Sequence, residues 1–267
     1  MKKIFSLIIF GALFLVINGR HFLGGTITWR PLNGSATGTP VAIVITQTYS
    51  WTYAHMPCTD VMIATNQFVT VFGSVDVQNL TCIADCGATS LGYTDIGILP
   101  YCTDASAPVN TTVGQRSDIV YLVQGDNFSV AYQGSSWRSL TTVIGAPWSI
   151  SSRLKIEPRS DNGLYNNAPV ATVMSPINIR VNKTTAIHIP IADADGDTLR
   201  CRWSTNSSGI DECGGVCPPD SLPPNTIIFP NCTIIITGQN AGDWFGVALM
   251  VSRELFISLT SSYSLHR

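Results

Sequence analysis

The stretch Asn166-Asn-Ala-Pro169, followed downstream by Thr185-Ala-Ile-His-Ile-Pro-Ile191 and then Ala192-Asp-Ala-Asp-Gly-Asp197-Thr-Leu-Arg-Cys-Arg-Trp203, decides the fold. In 185–191 apolar residues alternate with others, the period of a half-buried strand. Asp193, Asp195 and Asp197 then recur at every second position around Gly196, an oxygen-rich turn at a strand end. A hard cation such as calcium takes several oxygen ligands at once, and a glycine lets the backbone bend tightly beside it. The competing reading is a solvated Asp-Gly turn between two strands.

Working outward, short apolar runs rich in β-branched residues dominate the chain. Expected strands before the joint are 26–30, 41–46, 68–72, 119–123, 128–132 and 149–156. Gln124-Gly-Asp-Asn127 reads as a hairpin turn, because Gly and Asp-Asn supply the unusual backbone angles it needs. After the joint, strands are expected at 171–174, 177–181, 185–191, 198–203, 226–229, 233–237 and 244–251, with 238–242 as the turn before the last. About seven short strands in that span approach the size of an immunoglobulin-like sandwich. With no convincing amphipathic helix, the fold class is all-β, two disulfide-bonded β-sandwich domains in tandem. Arg159-Ser-Asp-Asn-Gly-Leu-Tyr-Asn-Asn-Ala-Pro169, polar and turn-rich, is the boundary. The domains are then 20–165 and 166–251, with 252–267 as a tail.

Residues 1–19 carry Lys2 and Lys3, an apolar run over 4–17 and a cleavage point after Gly19, the pattern of a secretory signal peptide. The run is shorter than the roughly 20 residues of a spanning helix. The segment 255–267 is too polar for a span or a lipid-anchor signal, so an extracellular, secreted product is expected. Removal of the leader leaves 13 basic and 17 acidic residues. Charged residues are 12% of the chain, about half the usual share, and no basic patch appears. This composition argues against nucleic acid and anionic membrane surfaces as partners. An extracellular protein or a glycan fits it better.

Eight cysteines fall into two sets, Cys58, Cys82, Cys86 and Cys102, then Cys201, Cys213, Cys217 and Cys232. An even number in each set behind a leader implies disulfides, with three pairings open in each. A zinc site would show paired short spacings, and each set has only one. The region 82–102 is rich in small residues and reads as a long loop held by disulfides. Seven Asn-x-Ser/Thr sequons, at Asn33, Asn79, Asn110, Asn127, Asn182, Asn206 and Asn231, are candidate glycan sites.

No catalytic motif emerges. His21, His55, His188 and His266 are scattered, without the His-Glu-x-x-His spacing of zinc hydrolases. Ser135 lies in a turn-like Gln133-Gly-Ser-Ser-Trp137 rather than in a nucleophile elbow. The chain therefore reads as a non-enzyme, an adhesion or extracellular-matrix-type binding module. The alternative is a carbohydrate-binding protein using Trp29, Trp51 or Trp137 as stacking platforms, with Tyr93 and Tyr101 as further candidate binding aromatics.

The joint resembles the cadherin-like repeats of adhesion proteins. Asn166-Asn167-Ala168-Pro169 is similar to that family's linker, and Asp193-Ala194-Asp195 to its Asp-Ala-Asp calcium motif. The surrounding 191–199 is also similar to tandem cadherin-like and immunoglobulin-like repeats of large secreted proteins. A weaker likeness links His21-Phe-x-Gly-Gly-x-Ile-Thr-Trp29 to the mature start of secreted repeat-bearing proteins. The resemblance covers roughly 166–251 and implies Asn167, Asp193 and Asp195 as calcium ligands at the interdomain linker, with Asp197 able to supply a further oxygen. It departs at Asn166, where the family carries an aspartate, and in the first domain offers only Glu157 and Asp161. A set this poor in carboxylates would bind calcium weakly, around 10⁻⁴ to 10⁻³ M as in extracellular modules.

Overall fold

A computed structural model describes residues 21–70, 78–87, 90, 92–135, 137–172, 176–207 and 209–253. In chain order the first half contains β1 (Phe22–Pro31), β2 (Val41–Trp51), α1 (Asp60–Ala64), β3 (Asn79–Ala84), β4 (Ile96–Gly97), β5 (Tyr101–Ser106), β6 (Thr111–Leu122), β7 (Asn127–Ser135) and β8 (Pro147–Lys155). The second half contains β9 (Val170–Ala171), β10 (Thr184–His188), β11 (Ile191–Ala192), β12 (Leu199–Trp203), β13 (Asn206–Ser207), β14 (Ile210–Asp211), β15 (Ile227–Ile228), β16 (Thr233–Thr237) and β17 (Leu249–Arg253). The all-β expectation holds.

In the first half, antiparallel sheets ordered β1-β2-β6-β5 and β4-β3-β7-β8 contribute to one core. Alternation puts Ile43, Ile45 and Tyr49 of β2 inward, where they meet Phe128, Val130, Tyr132 and Leu154. Phe22 stacks on Trp148 at 4.2 Å between ring centres and meets Tyr132 edge-on. Such pairs add about 0.5–1.5 kcal/mol beyond their burial. The buried Gln47 is satisfied by Tyr49, whose hydroxyl donates to Oε1 at 2.8 Å.

Several expectations need correction. Residues 124–127 do turn, with Gly125 at φ 98°, but they are no hairpin. β6 pairs with β2 and β5, and β7 with β3 and β8, so this turn carries the chain from one sheet to the other. The long loop over 82–102 is partly sheet, with β3, β4 and β5 in it. The strand expected at 68–72 is a single bridge from Phe68 to Tyr101, and residues 71 and 72 lie outside the described residues. A five-residue helix, α1, was not anticipated; Thr59 caps it, its Oγ1 accepting from the Met62 amide at 3.3 Å.

The second half is less regular. Its sheets are β10-β16-β15, β9-β11, β12-β17 and β13-β14, around a core of Ile189, Cys201, Cys232, Ile234 and Ile236. Pro190 has no N–H for a ladder and divides the strand expected at 185–191 into β10 and β11. The segment 177–180 is not a strand, and of 244–251 only the end joins β17. Residues 1–20, 173–175 and 254–267, on which the leader, part of a strand and most of the tail were read, lie outside the described residues.

Both cysteine sets pair alike: Cys58–Cys102 with Cys82–Cys86, and Cys201–Cys232 with Cys213–Cys217. In each set one bridge spans a long segment and the other closes a Cys-x3-Cys ring.

Candidate functional site

Where the two halves meet, the acidic turn folds as an organised unit. Asp193 Oδ1 accepts the backbone N–H of Asp195 at 2.8 Å and of Asp197 at 3.2 Å, and Gly196 at φ 75° closes the bend. The result brings carboxylate oxygens of Asp193, Asp195 and Asp197 within 4.8 Å of one another. Asn167 ties the linker to this turn: its backbone N–H donates to Asp195 Oδ2 at 2.7 Å and its side-chain amide to Oδ1 at 2.8 Å. All four residues singled out in the sequence thus meet in one place.

The cation that faces them is a side chain. Arg159 Nη1 and Nη2 donate to the two oxygens of Asp197 at 2.5 and 2.8 Å. Its Nε and Nη2 donate to Asp161 at 3.1 and 2.8 Å. Nη1 also donates to Asn166 Oδ1 at 3.0 Å and lies 3.3 Å from Asp195 Oδ2. The planar guanidinium, with five donors in a fixed fork, suits such two-sided binding in a way no lysine could. Its side chain is only 6% exposed. Its position follows from a tight turn, since the Arg159 amide donates to Leu164 O and its carbonyl accepts from Gly163 N–H. Tyr165, whose hydroxyl donates to Gly38 O at 2.6 Å, anchors the exit of that turn on the first half.

A second guanidinium completes the cluster. Arg253 of β17 donates to Asn166 Oδ1 at 3.0 Å and lies 3.6 Å from Asp197 Oδ2. A neutral Asn166 thus accepts from two arginines while its Nδ2 donates to Asn167 O. Hydrogen bonding to Arg159 holds the Asp197 and Asp161 carboxyls below their usual range, and pushes the Arg159 guanidinium above its own.

The fit to calcium can be tested on this donor set. Calcium takes six to eight oxygens. Both oxygens of Asp197 are taken by Arg159, both of Asp195 by Asn167, and Asp193 Oδ1 by two amides. Of these six oxygens, the buried Asp193 Oδ2 alone has no hydrogen-bond partner among the described residues. The carboxylates converge as the spacing implies, and the Arg159 guanidinium, bonded to both oxygens of Asp197, stands where a cation would meet them. Glu157 takes no part, pairing with Lys155 at 2.9 Å on the surface. The parts of Arg159 and Arg253 were missed, and Asn166 was noted only as a departure from the family's linker; the available signal was a lone arginine in the turn-rich boundary before an acidic triplet.

Further contacts dock the halves directly. Gly215 N–H donates to Pro147 O at 2.9 Å and Ser149 Oγ to Asp211 O at 2.6 Å. Thr141 and Trp244 exchange hydrogen bonds of 2.8 and 2.9 Å, and Arg138 lies 3.5 Å over the Trp244 ring. Val216, buried, joins the first core. Beside the joint runs a groove of about 1770 Å³, lined by Thr26, Thr28 and Ser151 of the first half and by Ile187, Ile234 and Ile236 of the second.

The proposed stacking platforms are elsewhere: Trp29, Trp51 and Trp137 are 4%, 4% and 8% exposed, inside the first core. Tyr93 is half-buried and donates to Leu80 O, and Tyr101 stacks on Phe68. His188 points outward as its alternation implies, whereas His21 and His55, distant in sequence, stack at 4.3 Å. Ser135 ends β7, and His266 lies outside the described residues. Among the sequons, Asn33, Asn79, Asn182, Asn206 and Asn231 are exposed. Asn110 and Asn127 are half-buried, their Oδ1 atoms accepting from Ala54 N–H and Arg153 Nε.

No family model, curated protein or solved structure matches this chain.

Proposed function

We propose that the chain is a secreted, non-enzymatic binding module of adhesion or matrix type, in which units 20–165 and 166–251 present one braced surface to an extracellular partner. The observation that carries this reading is the clasp of Arg159 on Asp197, which links the end of the first unit to the acidic turn of the second. A protein that bears load or holds an epitope in a set orientation gains from a joint that does not swing; unbraced domains on a linker move by default. The four disulfides suit an oxidising compartment, and no described helix is long and apolar enough to cross a membrane. The exposed sequons give room for glycans on both units. The carbohydrate-binding reading loses support with the burial of its three tryptophans.

Expression of the full chain in a secretory eukaryotic cell tests the reading. The protein should enter the medium with its leader removed and with glycans that an amidase strips. Surfaces coated with it should retain cells or matrix proteins, while a glycan array stays blank. Retention inside the cell, turnover of a hydrolase substrate panel, or binding on the glycan array would each contradict it.

A further inference from the structure

We infer that Arg159 is the resident cation of the joint, so that a cluster resembling a calcium site is closed by a guanidinium and answers to calcium only when that guanidinium is removed. The inference rests on the braced-joint reading, but its test is separate: the brace is a matter of geometry, the cation a matter of ligand response.

The charge and hydrogen-bond pattern carries it. Asp161, Asp193, Asp195 and Asp197 surround two arginines. Asp161 is more than half exposed, and its charge is largely screened by water. The three carboxylates of the turn are met by Arg159 and Arg253 and by dipoles: two amides on Asp193 Oδ1, and the amide and side chain of Asn167 on Asp195. A divalent ion entering this set would have to expel a guanidinium that bonds both oxygens of Asp197 and is almost wholly buried. Two positive centres would otherwise share a site a few ångströms wide, at a cost that a low-dielectric surrounding magnifies.

Asn166 fits the same account. An aspartate there would add a charge useful to calcium; the neutral amide oxygen instead accepts from Arg159 and Arg253. Removal of Arg159 changes the balance. Asp197 loses both its close donors, Asp195 Oδ2 loses its nearest cation, and the unpartnered Asp193 Oδ2 already lies in the same cluster. Asp197 Oδ1 and Oδ2 and Asp193 Oδ2 are then open to a hard cation, with Arg253 remaining 3.6 Å from Asp197 Oδ2.

The test compares the full chain with Arg159→Gln by thermal melting in chelator and in about 10 mM calcium chloride, a concentration near or above the Kd range of weak extracellular sites. The wild type should melt at the same temperature in both buffers and release no binding heat in calorimetry. Arg159→Gln should melt lower than the wild type in chelator and recover by about 3 °C or more in calcium, as one occupied site predicts. Stabilisation of the wild type by calcium would overturn the inference, and so would a folded Arg159→Gln protein indifferent to it. If Arg159→Gln folds in neither buffer, Arg159→Met, which keeps the apolar stem and carries no cation, takes its place in the comparison: a calcium response absent from the wild type supports the inference, and none overturns it.

Discussion

Arg159 and Asp197, 38 residues apart in the chain, form a two-pronged ion pair at 2.5 and 2.8 Å across the junction of the two halves. Arg159 sits just beyond the last strand of the first core and Asp197 at the end of the acidic turn. The pair therefore ties the end of the first half to the acidic turn. Because it is largely withdrawn from water, its loss leaves a charge without compensation.

Acid should release the joint. The Asp197 carboxyl is held below its ordinary value in the folded chain, chiefly by its hydrogen bonds to Arg159. A depressed carboxyl contributes stability above its unfolded value of about 3.9, and that contribution is lost as pH falls through the lower folded value. Denaturant midpoints measured from pH 6 downward should therefore decline below about pH 4. Asp197→Asn should remove part of that slope; an unchanged slope in the variant would place the acid sensitivity elsewhere.

Gly214 is a tight point of the direct interface. At φ 62°, its missing Cβ would lie 2.8 Å from Pro147 O and from the Trp148 backbone. Gly214→Ala should cost about 1–3 kcal/mol through strain and overpacking. Hydrogen exchange should locate the damage: the Gly215 amide, bonded to Pro147 O, should exchange faster while the β2 amides keep their protection. Uniform loss of protection would mean the halves unfold as one.

The two bridges of the second half should differ in value. Cys201–Cys232 closes a separation of 31 residues and Cys213–Cys217 one of 4. Loop entropy alone assigns about 3–4 kcal/mol to the first and about 2 kcal/mol to the second. Cys201 and Cys232 are also buried members of the small core, so replacing that pair by serine should exceed its entropic share. Equal midpoints for the two paired-serine variants in denaturant would contradict this ranking.

Much of this molecule was legible in its sequence, and the misses have physical causes. The short apolar runs at 41–46, unbroken and β-branched, and at 128–132 marked β2 and β7, because a stretch so apolar and so short suits a core strand better than a helix. The spacing of Asp193, Asp195 and Asp197 likewise carried the convergence of their carboxylates. Pairing was not legible: residues 124–127 look like a hairpin turn, yet whether flanking strands share a sheet is decided by partners far away. For the same reason Trp29 and Trp137 could pass for surface platforms until their neighbours were known. Arg159 was hidden because an isolated arginine in a polar turn carries no period or spacing. Only its burial among carboxylates 2 and 38 residues away reveals its part.

A double-mutant cycle on Arg159 and Asp197 asks most directly whether these two residues hold the joint. Arg159→Gln, Asp197→Asn and the double variant would each be unfolded in denaturant, in chelator, beside the wild type. The account predicts a coupling energy of about 2 kcal/mol or more, the second substitution costing little once the first is made. Single effects that simply add, to within about 0.5 kcal/mol, would mean the pair is a bystander and the joint is held by other contacts.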